Sequence, residues 1–281
     1  MIQLTRIRTE DAVNAVFRGA KRKDLNKKLL LSQRAILNGA EEKHQWNSNV
    51  WGESRSQLLK ESANKCAYCE APLKVVAYGD VEHYRPKSIY WWLAYSYENY
   101  LASCTLCNQQ FKKDFFPKNG NTLMGPPISA HTTDAEIESL AALINPDPLN
   151  DAHGMPQATF IAAHDSEQAL LPNPYYEDPE KIFSYVAHED LAEVDIVVLD
   201  TVANAQHIEK AVVTHYGLNR LELRQLRYEW YDFYITQKLI LKEVAVSAGL
   251  KQRAQKKIQS MMLPKSPFAG MIRYFERSEL P

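Results

Sequence analysis

The chain has 281 residues and a net charge of −1, with 45 % hydrophobic and 24 % charged residues, the balance of a globular protein rather than a disordered or fibrous one. That length allows one large domain or two small ones. No apolar leader follows Met1-Ile2-Gln3-Leu4 and no apolar run approaches membrane-spanning length, so no membrane association is expected and a cytoplasmic location is.

The near-neutral total conceals segregation. Residues 1–65 carry +6, residues 66–120 carry +1, residues 121–200 carry −14 with Lys181 as their single cation, and residues 201–281 carry +6. Basic ends facing a polyanion is one meaning of such a pattern, and ordinary solvated faces is the other.

Residues 1–65 read as a helical region. Thr9-Glu10-Asp11 opens a helix with Ala12, Ala15, Val16 and Ala20 at helical spacing, and Lys21-Arg22-Lys23-Asp24 predicts a break before a second pattern on Leu25, Leu29, Leu30 and Ile36. A short helix is expected over 53–64. Leu73 to Val81, with Val75 and Val76, reads as a strand ending near His83, and Pro86 favours an extended exit. Tyr90-Trp91-Trp92-Leu93, Tyr95, Tyr97 and Tyr100 are expected to form local core rather than a stacking surface. A short helix over 104–113 closes the 66–120 region. Residues 121–200, rich in Pro, Asn and Asp, predict loops with short strands at Thr159–Ala162 and Ile182–Val186. Residues 201–281 predict long amphipathic helices over 203–246, broken at Gly217 and Asn219 as C-cap and new N-cap, then a helix over 249–262 and a tail.

The chemistry concentrates between Cys66 and Lys113. The sequence contains four cysteines, arranged as two CxxC pairs, Cys66/Cys69 and Cys104/Cys107. Two such turns supply a tetrahedral four-thiolate zinc site; structural thiols or two disulfides are the alternatives. A zinc with four thiolates has no open position, so it is structural, and it clamps the residues between the pairs into one loop.

Inside that loop, His83 is the natural base for activating water near neutral pH. Glu82 and Asn108 offer hard oxygen ligands for Mg2+ or Mn2+, with Asp80 as an alternative acid. Asn99 is placed to accept a hydrogen bond from the far ring nitrogen of His83. Arg85, Lys87, Lys112 and Lys113 are candidates for phosphate contacts.

The motif order, C-A-Y-C-E, V-E-H-Y-R-P-K, then Y-E-N-Y-L-A-S-C-T-L-C-N, resembles the HNH nucleases. The resemblance implies an α+β protein, a zinc-stapled ββα-metal (HNH) core embedded in a mainly α-helical chain with N- and C-terminal helices. It also implies His83 as general base, Asn99 as its orienting residue, Glu82 and Asn108 as catalytic metal ligands, and Cys66, Cys69, Cys104 and Cys107 on structural zinc. The last motif position is Asn108 instead of the eponymous histidine. With N-P-Y-Y-E-D-P and G-L-N-R-L-E-L-R-Q-L-R further on, the closer resemblance is to the PtuB family, the HNH subunits of Septu-type and retron-associated antiphage systems. It implies DNA or tRNA as substrate, an ABC/SMC-like ATPase (PtuA) as partner and, in retron versions, a reverse transcriptase with its DNA–RNA hybrid. On this view the acidic 121–200 region and the C-terminal helices dock the ATPase. A non-catalytic zinc module that binds nucleic acid or scaffolds a complex is the competing reading.

Overall fold

In the computed structural model of the chain, residues 1–73 and 78–278 are described. The helix expected from Thr9 is a turn instead, ending in a 3₁₀ segment at Ala15–Phe17 that Asn14 caps by accepting from the Val16 N–H. Gly19, at φ +54, then opens α1 (Gly19–Leu37). This helix runs unbroken through Lys21-Arg22-Lys23-Asp24, because Lys and Arg are good helix formers and Arg22 is an anchor rather than a surface charge. It is 2 % exposed, and its guanidinium donates to the carbonyls of Asn145 (2.7 Å) and Ala142 (3.0 Å). Two short helices follow, α2 (Ser48–Gly52) and α3 (Arg55–Glu61).

The predicted strand region is narrower in the structure. Val75 and Val76 lie outside the described residues, and β1 covers Asp80–His83. It pairs antiparallel with β2 (Tyr100–Ser103), Asp80 opposite Ser103 and His83 opposite Tyr100. A π-helical segment, Leu106–Lys112, follows almost at once. Tyr90, Trp92, Leu93, Tyr97 and Tyr100 are all buried, so these aromatics build core as expected.

The acidic stretch departs most from expectation. It holds two helices, α4 (Asp134–Leu140), started by a Thr133/Glu136 capping box, and α5 (Gln157–Glu167). Thr159–Ala162 belongs to α5: burial of Phe160 and His164, four residues apart on one helix face, overrides the β preference of Thr159 and Ile161. Only then come β3 (Phe183–His188) and β4 (Glu193–Val198), a hairpin of which the first strand was legible.

The acids of this stretch turn onto the basic segments. Glu138 meets Lys23 (2.6 Å) and Lys27 (2.8 Å), Asp134 meets Arg34 (2.8 Å), and Glu180 meets Arg273 and Arg277 (2.9 Å each). Part of the charge segregation is thus closed within the chain, while Glu136, Asp151, Asp165, Glu189, Asp190 and Asp200 stay exposed and, among the described residues, without an ion pair.

The C-terminal helices are α6 (Ala205–His215), α7 (Leu221–Lys242), α8 (Ala248–Met261) and α9 (Ala269–Arg277). Gly217 ends α6 with φ +62, and a Cβ there would fall 2.7 Å from the Phe111 ring, so the break is both conformational and steric. Asn219 does not cap α7. Its carboxamide accepts from the Ile196 N–H and donates to the Ile196 carbonyl (2.9 Å each), tying the turn to β4. α9 occupies the expected tail and buries Ala269, Met271, Ile272 and Phe275. Buried apolar residues from the first to the last helix join one hydrophobic cluster. Among the described residues no helix is long and apolar enough to cross a membrane.

One buried ion pair holds α5 against the segment after β1. Glu167 accepts from Arg85 Nε (2.6 Å), the Tyr90 hydroxyl (2.6 Å) and the Leu123 N–H (3.0 Å). Glu167→Ala leaves the Arg85 guanidinium buried without its counter-charge, and the expected loss is about 3–5 kcal/mol, read as a lower urea midpoint at unchanged slope. A midpoint equal to that of the unmutated chain would show that this network holds nothing together.

Candidate active site and thiolate cluster

The two CxxC turns come together as the spacing predicts. Glu70 takes φ +61 just after Cys69 and its N–H returns to the Cys66 carbonyl (2.9 Å), curling the first turn. The Ala67 N–H bonds the Ala102 carbonyl (2.8 Å), which seats this turn on β2. In the second turn the Cys107 N–H points at Cys104 Sγ (3.4 Å). The four sulfurs lie within 4.8 Å of one another and all four thiols are free, not disulfide-bonded. Zn–S bonds of about 2.3 Å give a tetrahedron with sulfur edges of about 3.8 Å, so a small closure fits zinc. Arg220, which sequence reasoning placed only at a helix break, donates toward Cys107 Sγ (3.6 Å) and Cys69 Sγ (3.9 Å). Hydrogen bonds from Cys104 and Cys107 hold the Cys69 thiol well below its usual range, and Arg220 adds to this, while burial pushes the Cys66 thiol well up.

Beside the cluster, β1 and the π-helical segment form one side of a cleft of about 480 Å³. Asp80, Glu82, His83 and Asn108 line it, so three of the four residues read as catalytic share one cavity, together with the alternative acid. Asp80 is in direct contact with the helix side: its Oδ2 accepts from Asn108 Nδ2 (3.3 Å) and Gln109 Nε2 (2.9 Å). Glu82 lies deeper, 3 % exposed, with Oε1 on the Lys112 ammonium (2.6 Å). Burial pushes the Glu82 carboxyl up and Lys112 opposes it. Asp80, Glu82 and Asn108 are oxygen donors of the kind Mg2+ or Mn2+ takes, but Glu82 Oε1 is engaged by Lys112 and Asn108 turns its Nδ2 toward Asp80, so a metal here would need both side chains to turn. Among the described residues the four cysteines are the one place where three or more His, Cys, Asp or Glu side chains gather at metal-ligand distance.

His83 is oriented by backbone, not by Asn99. Its Nε2 lies 2.9 Å from the Ala94 carbonyl, which also accepts from the Tyr100 hydroxyl (2.7 Å). A carbonyl only accepts, so Nε2 carries the proton and Nδ1 keeps the free lone pair. Burial between the Trp51 and Tyr100 rings lowers the imidazole pKa to about 3, keeping it neutral, the form that can take up a proton. The expected Asn99–His83 bond is absent for a geometric reason. Asn99 Oδ1 accepts from the Arg85 N–H (2.9 Å) and Nδ2 donates to the Arg85 carbonyl (2.8 Å), mimicking a strand partner two residues past His83. Its Nδ2 also points at the carbonyl of Leu93 (3.5 Å), the residue before Ala94.

The four basic candidates divide. Lys87 and Lys113 line the cleft. Arg85 and Lys112 are both 0 % exposed and do not reach a substrate backbone. Arg85 is held by Glu167, while Lys112 bonds Glu82 and the His83 carbonyl (3.0 Å). Sequence reasoning missed Trp51 and Arg55, which line the opposite wall from α2 and α3. No motif marks them, because only the packing of these helices brings them to the cleft.

The chain is similar to the Septu protein PtuB of Bacillus mycoides (strain KBAB4), with 28 % identity over 212 residues that cover 70 % of this chain and 56 % of that protein. It is also similar to the Septu protein PtuB of Bacillus thuringiensis, with 37 % identity over 87 residues that cover 30 % of this chain and 31 % of that one. The chain thus spans little more than half the length of the first of these relatives and about a third of the second. No family model matches it. The PtuB resemblance expected from the sequence is found.

Metal analysis of the purified chain is expected to give one zinc per molecule. Cys66→Ser should lower both zinc content and melting temperature, since ligand loss and unfolding are linked. Unchanged helicity and melting in that variant would exclude a structural zinc.

Proposed function

We propose that this PtuB-like chain is a metal-dependent HNH endonuclease that hydrolyses phosphodiester bonds of DNA or tRNA, the effector subunit of a Septu-type antiphage system acting with an ABC/SMC-like ATPase. The observation that carries the reading is a neutral, backbone-oriented imidazole opening on the same cleft as Asp80, Glu82 and Asn108, with cationic side chains at its walls.

His83 takes the proton of the attacking water on Nδ1. A phosphodiester in the cleft brings negative charge close to the ring and raises its basicity from the low value that burial imposes. Glu82 and Asn108, with Asp80 beside them, would hold Mg2+ or Mn2+, which when bound offsets charge on the phosphoryl and leaving oxygens. Lys112 fixes two consecutive residues at once, Glu82 through its carboxylate and His83 through its carbonyl. Asn99 acts on the base indirectly, by holding both backbone groups of Arg85 two residues on and pointing its Nδ2 at the Leu93 carbonyl beside Ala94. Lys87, Lys113 and Arg55 contact flanking phosphates, and the four cysteines keep zinc apart from the chemistry. Two relatives named Septu protein PtuB support the defence setting; the sequence resemblance is what brings in the ATPase as partner and, in a retron version, a reverse transcriptase with its DNA–RNA hybrid.

The test offers plasmid DNA, single-stranded DNA and total tRNA with Mg2+ or Mn2+ to the unmutated chain and to His83→Ala, each with and without the ATPase. Cleavage that disappears in His83→Ala at unchanged zinc content is expected. Cleavage by neither protein, even with the ATPase present, would leave a binding module and end the nuclease reading. Asn99→Ala should lower turnover more than it weakens substrate binding, as befits a residue that positions the base. Lys113→Ala should do the reverse and mainly raise KM.

A further inference from the structure

We propose that the outer face of α8 is a second nucleic-acid contact, a phosphate-backbone site distinct from the cleft. The proposal rests on the reading of this chain as a nucleic-acid enzyme and adds where else it holds its substrate. From Val244 to Phe275 the sequence contains no acidic residue but does contain Lys251, Arg253, Lys256, Lys257, Lys265 and Arg273. On α8, Ala254, Ile258 and Met261 form the buried stripe, and Arg253, Lys256 and Lys257 stand exposed on the other side, interleaved with exposed Gln252, Gln255 and Gln259.

Two physical observations separate this face from an ordinary solvated one. Among the described residues Arg253, Lys256 and Lys257 make no ion pair, as is also true of Lys21, Lys28, Lys43 and Lys60, but here the three cations sit together on one helix within a stretch, Val244 to Phe275, that offers no acid of its own. Furthermore, Arg253 stands three and four residues from Lys256 and Lys257, the spacing at which like charges on a helix repel and destabilise it. A polyanion turns that repulsion into attraction and releases its own counterions on binding. The glutamines between the cations supply neutral donors and acceptors, and one helical turn of about 5.4 Å sets adjacent cations within reach of successive phosphates. The Lys257 ammonium itself lies over the Phe233 ring (5.0 Å), a cation–π contact that fixes where its charge is presented.

The experiment measures anisotropy of a labelled duplex oligonucleotide and of labelled tRNA, over a range of KCl concentrations, with the full-length His83→Ala chain and no added divalent metal. Arg253→Gln, Lys256→Gln and Lys257→Gln are introduced together, since glutamine preserves helix propensity. The expected result is binding weaker by about tenfold or more, with a salt slope shallower by roughly 2–3, at unchanged melting temperature. Lys256→Arg with Lys257→Arg should retain full binding. Unchanged affinity and slope in the glutamine variant would overturn the proposal. Unchanged nucleic-acid binding with lost retention of poly-glutamate would also overturn it, assigning the face to an acidic protein. Absence of cleavage by the unmutated chain in the assay with Mg2+ or Mn2+, together with α8-dependent binding here, would remove the nuclease and leave this surface; cleavage there with α8-independent binding here would do the opposite.

Discussion

The arrangement of the cleft depends on four sulfur atoms being held together. Cys66 and Cys69 precede β1, and Cys104 and Cys107 follow β2, so their meeting within 4.8 Å closes the hairpin at its base. Asn108 is bonded covalently to Cys107, and its side chain therefore reaches Asp80 at the start of β1. A two-stranded hairpin on its own is marginal in water, and this one has four residues per strand. The cluster, with Arg220 donating to two of its sulfurs, supplies the closure that strand pairing alone does not.

Much of the site was legible because its spacing is local. The CxxC pairs are fixed by short offsets along the chain and their sulfurs meet as expected; Glu82, His83 and Asn108 line one cleft, but Asn108 bonds Asp80 and Glu82 bonds Lys112. What failed were readings that needed tertiary knowledge. Arg85 and Lys112 looked like surface cations beside a catalytic motif, but their counter-charges are Glu167, from α5, and Glu82, one strand away across the hairpin. Nothing in their own neighbourhood announces burial. Asn99 was matched to the right part of the site and the wrong atom, since a carboxamide satisfies a backbone N–H and C=O as readily as a ring nitrogen.

The fold outside the hairpin follows the same division. α6, α7 and α8 carry long amphipathic patterns and were visible, as was the glycine break between the first two. α5 was hidden by β-branched residues, and α9 by its position after two prolines, although its apolar residues recur at helical spacing. The −14 charge of residues 121–200 is in part answered by basic helices that lie far away in sequence, as Glu138 is by Lys23 and Lys27.

The contact between Gly217 and the Phe111 ring bears on how this protein can be divided. A glycine from the C-terminal region lies flush against the π-helical segment that carries Asn108 and Lys112, and Arg220, three residues on, reaches the sulfur cluster. The hairpin, its cysteines and its short helix thus form a centre that borrows part of its packing and counter-charge from a stretch more than a hundred residues downstream. Such a centre is not portable: cut out as a miniature domain, it would surrender an aromatic face and a thiolate partner to water, so inheritance and engineering alike must move it with its C-terminal helices attached.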